Sequence, residues 1–176
     1  MKTADLHTHS YYSDGIYSPR KVVGFAKEKG IKYLALTDHN SVKGVKEAIK
    51  EGKKLGVIVI PAVELRSKEG EILGYFIDTN DKLLNQTIKE IIERTEQIFK
   101  KLLKKLKEKS INVKINDVLD TKIKKQNVLN VYLYRYLKKK LKIEIKEVKI
   151  MVRKLISEKD FEPRFSSEEI IKVIIK

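Results

Sequence analysis

The chain is expected to fold as an α/β domain on a parallel sheet, and three observations point there. Short apolar runs alternate with helical stretches through the first eighty residues, the signature of βα units. Polar clusters lie within or just beyond the C-terminal ends of the first three apolar runs, the edge where parallel α/β folds build their sites. From about Asp81 the pattern turns into a mostly helical segment that reads as an insertion.

The elements follow in order. Ala4 to Thr8 reads as the first strand. Ser18-Pro19 supplies an N-cap followed by proline at the first helical position, and the helix through Val22, Val23, Phe25 and Ala26 ends at Gly30. Tyr33 to Thr37 is the second strand. Ser41 is expected to cap a second helix through Val45, Ala48, Ile49 and Leu55 with Gly56 as its stop. Val57 to Glu64 then reads as a buried strand and Ile72 to Ile77 as a shorter fourth one.

Leu84, Ile88, Ile91, Ile92, Thr95, Ile98, Phe99, Leu102, Leu103 and Leu106 recur at three- and four-residue spacing, so one long amphipathic helix covers them. Val128 to Leu141 and Ile145 to Ile156 are helical by pattern, and Asn112 to Ile115 reads as a short extended link. Ser166, with Glu169 three residues on, opens a last helix through Ile170, Ile171, Val173 and Ile174 with a capping box. These readings divide the chain into βα units over 1–80, a helical insertion over 81–160, and a return to the first domain over 161–176.

Composition narrows the chemistry. With 176 residues and 41% hydrophobic content the chain can bury a real core. The absence of cysteine removes disulfides and thiolate metal sites and leaves imidazole and carboxylate as the strong ligands, which suit zinc, manganese, iron or magnesium. No apolar run approaches the roughly 20 residues of a membrane-spanning helix, and the N-terminus lacks a signal-peptide pattern, so a cytoplasmic location without membrane contact is expected. The formal charge of +15 has two readings: attraction to phosphate-bearing partners, nucleic acid among them, or a proteome-wide Lys, Ile and Glu bias without such a role.

All three histidines fall in two short motifs, Asp5-Leu6-His7-Thr8-His9 and Thr37-Asp38-His39. Residues two apart in a strand share a face, so His7 and His9 project together. Asp14 sits in a Ser13-Asp14-Gly15 turn, where glycine permits a left-handed or tight backbone that returns the carboxylate toward the pair. His39 ends the second strand and Glu64 the third. Three imidazoles with two carboxylates make a mixed nitrogen and oxygen site, sufficient for a binuclear centre. Asp5 and Asp38 precede ligand histidines and are expected to orient them through the free ring N–H. Arg20 and Arg66, near the strand ends, are candidates for neutralising substrate charge, with a solvated salt bridge as the alternative for each.

Asp5 to Ser10, Tyr12 to Gly15, Leu36 to Ser41 and Pro61 to Glu64 together resemble the polymerase and histidinol phosphatase (PHP) superfamily. Leu73-Gly74-Tyr75-Phe76-Ile77-Asp78 and the helix after it look like its branch of small phosphoesterases acting on nucleotides or short oligonucleotides. The resemblance implies a distorted (β/α)₇ barrel with a two- or three-metal site that hydrolyses phosphate esters, and it maps ligands onto His7, His9, Asp14, His39 and Glu64. Glu71 stands where the family places a further histidine, so it is carried as a sixth candidate ligand. For a family histidine that contacts substrate, Tyr132 and Asn130 are the nearest candidates here.

The family's remaining ligands would lie beyond Lys176, so the barrel is expected to be incomplete at its C-terminus, with an open edge that an oligomer could cover. The leading expectation is a metal-dependent phosphoesterase acting on a phosphorylated small molecule or short oligonucleotide. The alternative is a remnant that binds metal or nucleic acid without turnover, and a third reading is a domain that works inside a larger assembly.

Overall fold

The computed structural model describes residues 3–118, 129–155 and 162–175. Strand β1 (Ala4–Thr8), helix α1 (Pro19–Glu28), strand β2 (Tyr33–Leu36), helix α2 (Val45–Leu55) and strand β3 (Ile58–Arg66) form two successive βα units and the strand that follows them. Strand β4 (Glu71–Tyr75) comes next, and the sheet order is β1-β2-β3-β4. β1, β2 and β3 run parallel, whereas β4 pairs antiparallel with β3. The parallel sheet expected from the βα pattern therefore holds for β1 to β3, and the fourth strand, expected without a direction, turns back. Residues 67–70 are too short a link for the crossover that a parallel neighbour needs, so the chain can only fold back as a hairpin.

The sheet is curled, and the Tyr75 hydroxyl on β4 donates to the Leu6 carbonyl on β1 at 3.0 Å. A side chain of β4 thus reaches β1, the strand at the other end of the four-stranded order. On the convex side Val23, Ala26, Leu34, Leu36 and Ala48 pack α1 and α2 against β2. Ser18 caps α1 by accepting from the Lys21 N–H, with Pro19 at the start as expected. The cap expected at Ser41 is not used: α2 begins after Gly44 without a side-chain cap, and Ser41 is buried in the preceding turn.

Helix α3 (Lys82–Glu108) runs 27 residues, about 40 Å at 1.5 Å per residue, and so reaches beyond the sheet. Its first half places Leu84, Ile88 and Ile91 against Val63 and Leu65 of β3 and against Ile170. Its second half places Phe99, Leu102 and Leu106 in a separate core with Val118, Leu133, Leu137, Val148 and Val152. That second core joins α4 (Ile115–Val118), α5 (Leu129–Leu141) and α6 (Ile145–Leu155). The extended link expected through Ile115 ends one residue earlier, where α4 starts. Val128, Ile156 and the boundary at residue 160 lie outside the described residues.

Helix α7 (Ser167–Ile174) carries the capping box read from sequence, with Ser166 accepting from the Glu169 N–H and the Glu169 carboxylate accepting from the Ser166 N–H. It packs beside β4, where Ile174 fits against Gly74 so closely that an added Cβ would lie 3.0 Å from it. Among the described residues, no helix is long and apolar enough to cross a membrane.

Candidate metal centre

The concave edge of the sheet gathers the polar side chains. β1 delivers His7, and His9 follows just past its end on the same side; their ring centroids are 5.0 Å apart. His39 lies beyond β2, where it bridges to Glu64 in a parallel pairing that extends the β2–β3 register. Asn40 secures this join. It adopts φ 48°, a left-handed conformation that asparagine tolerates better than most residues. From there its N–H donates to the Glu64 carbonyl at 2.8 Å and its side-chain oxygen accepts from the Arg66 N–H at 3.0 Å.

Glu64 is the hub. Its carboxylate oxygen Oε2 lies 3.1 Å from His7 Nε2, 3.4 Å from His9 Nε2 and 3.3 Å from His39 Nδ1. Asp14 lies 3.6 Å from His9 and 4.0 Å from His39, and Glu71 lies 3.3 Å from His39 Nδ1. Donor atoms within 4.8 Å of one another form three adjoining groups: His7, His9 and Glu64; His9, Asp14 and His39; His39, Glu64 and Glu71. Ligands around a tetrahedral ion at about 2.0–2.1 Å stand about 3.3 Å apart, so the spacings around Glu64 fit shared coordination. Glu64 has only 7% of its side chain exposed while His7 has 51%, so the cluster opens to solvent on the β1 side.

Burial and the neighbouring His39 push the His9 pKa below its ordinary 6.5, which keeps this imidazole neutral and able to ligate at pH 7. The Ser10–Gly15 turn holds Asp14 in place. The N–H groups of Ser13 and Gly15 both donate to the Ser10 carbonyl at 3.0 Å. Glycine is needed at position 15 because a Cβ there would sit 2.5 Å from the His9 carbonyl oxygen. Close approach, not a left-handed backbone, is the reason, since Gly15 is absent from the glycines with positive φ.

Asp38 acts differently from the expectation that it would grip a histidine ring. Its carboxylate accepts three bonds of 2.7 Å, from the Ser10 N–H, the Ser10 hydroxyl and the Ser13 hydroxyl. Burial nevertheless raises its pKa above the usual carboxylate value. Ser13 gives its hydroxyl proton to Asp38 and so meets His9 Nδ1, 3.3 Å away, as an acceptor. That contact favours the tautomer with its lone pair on Nε2, the nitrogen beside Glu64. Asp5 touches the His7 main-chain N–H at 3.4 Å.

The two arginines make no ion pair or hydrogen bond with the six clustered side chains among the described residues. Arg20 pairs with Glu47 at 3.4 Å, and Arg66 lines a narrow crevice with Ile91, Arg94, Thr95 and Arg164. The side chain of Asn130 lies outside the described residues. Tyr132 reaches across from α5 and donates its hydroxyl to the Ser13 carbonyl at 3.1 Å, a contact between residues 119 apart that no local pattern could announce.

Residues 5–139 match the PHP domain family. The chain belongs to that family. It is 42% identical over 64 residues to a 5'-3' exoribonuclease of Haemophilus influenzae, a stretch of 36% of this chain and 23% of that protein. It is 33% identical over 106 residues to a 3',5'-nucleoside bisphosphate phosphatase of Chromobacterium violaceum, covering 56% of this chain and 37% of the relative. These matches span less than half the length of either relative.

A solved structure from Bifidobacterium adolescentis, provisionally assigned as a metal-dependent phosphoesterase, superposes with a TM-score of 0.81 at 17% identity. It is matched over 98% of this chain and 63% of the neighbour, so the PHP-type fold extends through the helical region as an incomplete barrel.

Proposed function

We propose that this PHP domain is a metal-dependent phosphoesterase that hydrolyses phosphate esters of nucleotides or short oligonucleotides. The convergence of three imidazole nitrogens on one buried carboxylate oxygen, Glu64 Oε2, carries this reading. His7, His9, Asp14, His39, Glu64 and Glu71 would hold two or three divalent ions in the adjoining groups, with zinc, manganese, iron or magnesium compatible with the donor set. Such ions, when bound, polarise the phosphoryl group and acidify water.

The residues themselves set the geometry. Asp38 fixes Ser13 and through it the tilt of His9, while Gly15 lets the Asp14 turn approach His9 closely. Asp5 steadies β1 beside His7, and Arg20, on α1 beside Glu47, and Arg66, at the end of β3, would neutralise substrate charge. We assign residues 81–160 as an insertion whose apolar core is its own from Phe99 onward, and the cytoplasm as its compartment. A partner covering the outer edge of β1 belongs to the same proposal.

Two relatives support the substrate class, one a 5'-3' exoribonuclease and one a 3',5'-nucleoside bisphosphate phosphatase. The test combines metal analysis of purified protein with hydrolysis of adenosine 3',5'-bisphosphate and a short RNA, using His9→Ala as the control. The expected result is at least one divalent ion per chain and phosphate release that the variant loses. A metal-loaded protein without release on any of these substrates would favour binding without turnover. A metal-free protein whose activity survives His9→Ala would refute the proposal.

A further inference from the structure

We propose that the groove between α4 and α5 binds single-stranded nucleic acid, seating a nucleotide on the α5 tyrosines while the strand continues toward the metal centre. The groove lies outside the six clustered side chains and is an open, surface-facing depression with a volume of about 580 Å³. Asp117 and Val118 form its α4 wall, and Tyr132, Arg135, Tyr136, Lys139 and Lys140 line it from α5.

The pattern on α5 is a paired one. Tyr132 and Tyr136 are one helical turn apart on a common face, and Arg135 and Lys139 repeat the same spacing beside them. The Arg135 guanidinium lies 5.7 Å from the Tyr132 ring centroid, and the Lys140 ammonium 5.4 Å from that of Tyr136. Lys140 is held in place, donating to the Asn112 carbonyl and the Tyr136 hydroxyl. Arg135 and Lys139 form no ion pair among the described residues. Asp117 is the acidic group of the groove, with its carboxylate 3.5 Å from the Tyr136 hydroxyl, so three cations face one carboxylate.

Two chemistries alternate here, a positive charge and a flat ring. A free phosphate would use only the first and an apolar peptide only the second. A nucleic acid strand offers a phosphate and a π-face at every repeat, and proteins that track single strands combine the same two features. Continuity with the metal centre is direct: Tyr132, which lines the groove, donates to the carbonyl of Ser13, the residue beside Asp14. The destination of the strand rests on the phosphoesterase reading, whereas binding in the groove does not.

Fluorescence anisotropy of a labelled short oligouridylate against the intact chain tests the inference. Arg135→Ala with Lys139→Ala is expected to weaken binding at least tenfold. It should also flatten the slope of log affinity against log salt by about 1.4, two phosphate contacts at about 0.7 each. Tyr136→Ala should weaken binding at fixed salt and Tyr136→Phe should restore it, with circular dichroism verifying that each variant folds. Wild-type affinity and slope in the double variant would overturn the inference, as would equal displacement by oligouridylate and by polyglutamate, which marks a general anion surface. Hydrolysis of bis(p-nitrophenyl) phosphate by the wild type is measured separately: its failure counts against the phosphoesterase reading alone, and anisotropy still decides the groove.

Discussion

The sheet half and the helical half of this chain satisfy different demands. Along the edge of β1, β2 and β3, side chains are fixed by chemistry: three imidazoles stand 3.1–3.4 Å from Glu64 Oε2, and no apolar or merely polar residue could replace them. In the core of α3, α4, α5 and α6, residues such as Phe99, Leu102 and Leu137 are fixed only by volume and by position on a helix face, and similar apolar groups would serve. Helix α3 belongs to both halves, since its Leu84 and Ile88 pack under the sheet and its Phe99 and Leu102 organise the helices. The difference teaches that a scarce residue type at strand ends reports a site, whereas an abundant apolar period reports only packing.

Substitutions on either side can break or sharpen this contrast. The largest effect on function is expected from Glu64→Gln, which removes the charge on which all three imidazoles converge. Metal affinity should fall beyond the roughly 10–100-fold that follows loss of a supporting partner, with the helical content unchanged by circular dichroism. In the opposite half, Phe99→Ala should cost about 3–5 kcal/mol of stability by urea unfolding while the metal content of the folded fraction stays at the wild-type value. A Phe99→Ala protein that folds but loses its metal would dissolve the distinction between the halves.

Asp38→Asn comes next. It should weaken metal affinity by about 10–100-fold, because Ser10 and Ser13 lose a charged acceptor and His9 its fixed tilt. Retention of wild-type affinity would remove Asp38 from the positioning role. The smallest effect concerns pH. His9 resists protonation in the folded state, so as pH falls below about 6.5 the unfolded chain takes up a proton that the folded one refuses. Its contribution is present above 6.5 and is lost as pH falls toward the lower folded value. The urea midpoint of metal-free protein should therefore decline through this window, and His9→Gln should flatten the decline.

Much of the sheet half was legible because its signals are local. Ser18-Pro19 marked the start of α1, Ser166 with Glu169 marked α7, and alternation in the His-x-His motif put both rings on one side. The direction of β4 was not read from the sequence, and it follows from the shortness of residues 67–70. Ser41 misled because a serine before an apolar helix can cap it or be buried in the turn, and here the turn takes it.

At the site, His7, His9, His39 and Glu64 could be picked from residue type and strand position and Asp14 from its turn, whereas Glu71 came into view only through the family resemblance. Their supports could not be picked in this way. Asp38 sits beside His39 in sequence yet serves the Ser10–Ser13 turn, and Asn40 matters because of a left-handed backbone conformation. Tyr132 reaches Ser13 from another core entirely. Such contacts depend on how two layers meet, which no period of two or 3.6 residues encodes.

Equilibrium titration of metal-stripped protein with zinc and manganese, in parallel with Glu64→Gln, tests the shared cation pocket most directly. The account predicts saturable binding of at least one ion per chain, competing with protons and lost in the variant. Binding that is absent in the wild type, or equal in the two proteins, would contradict it.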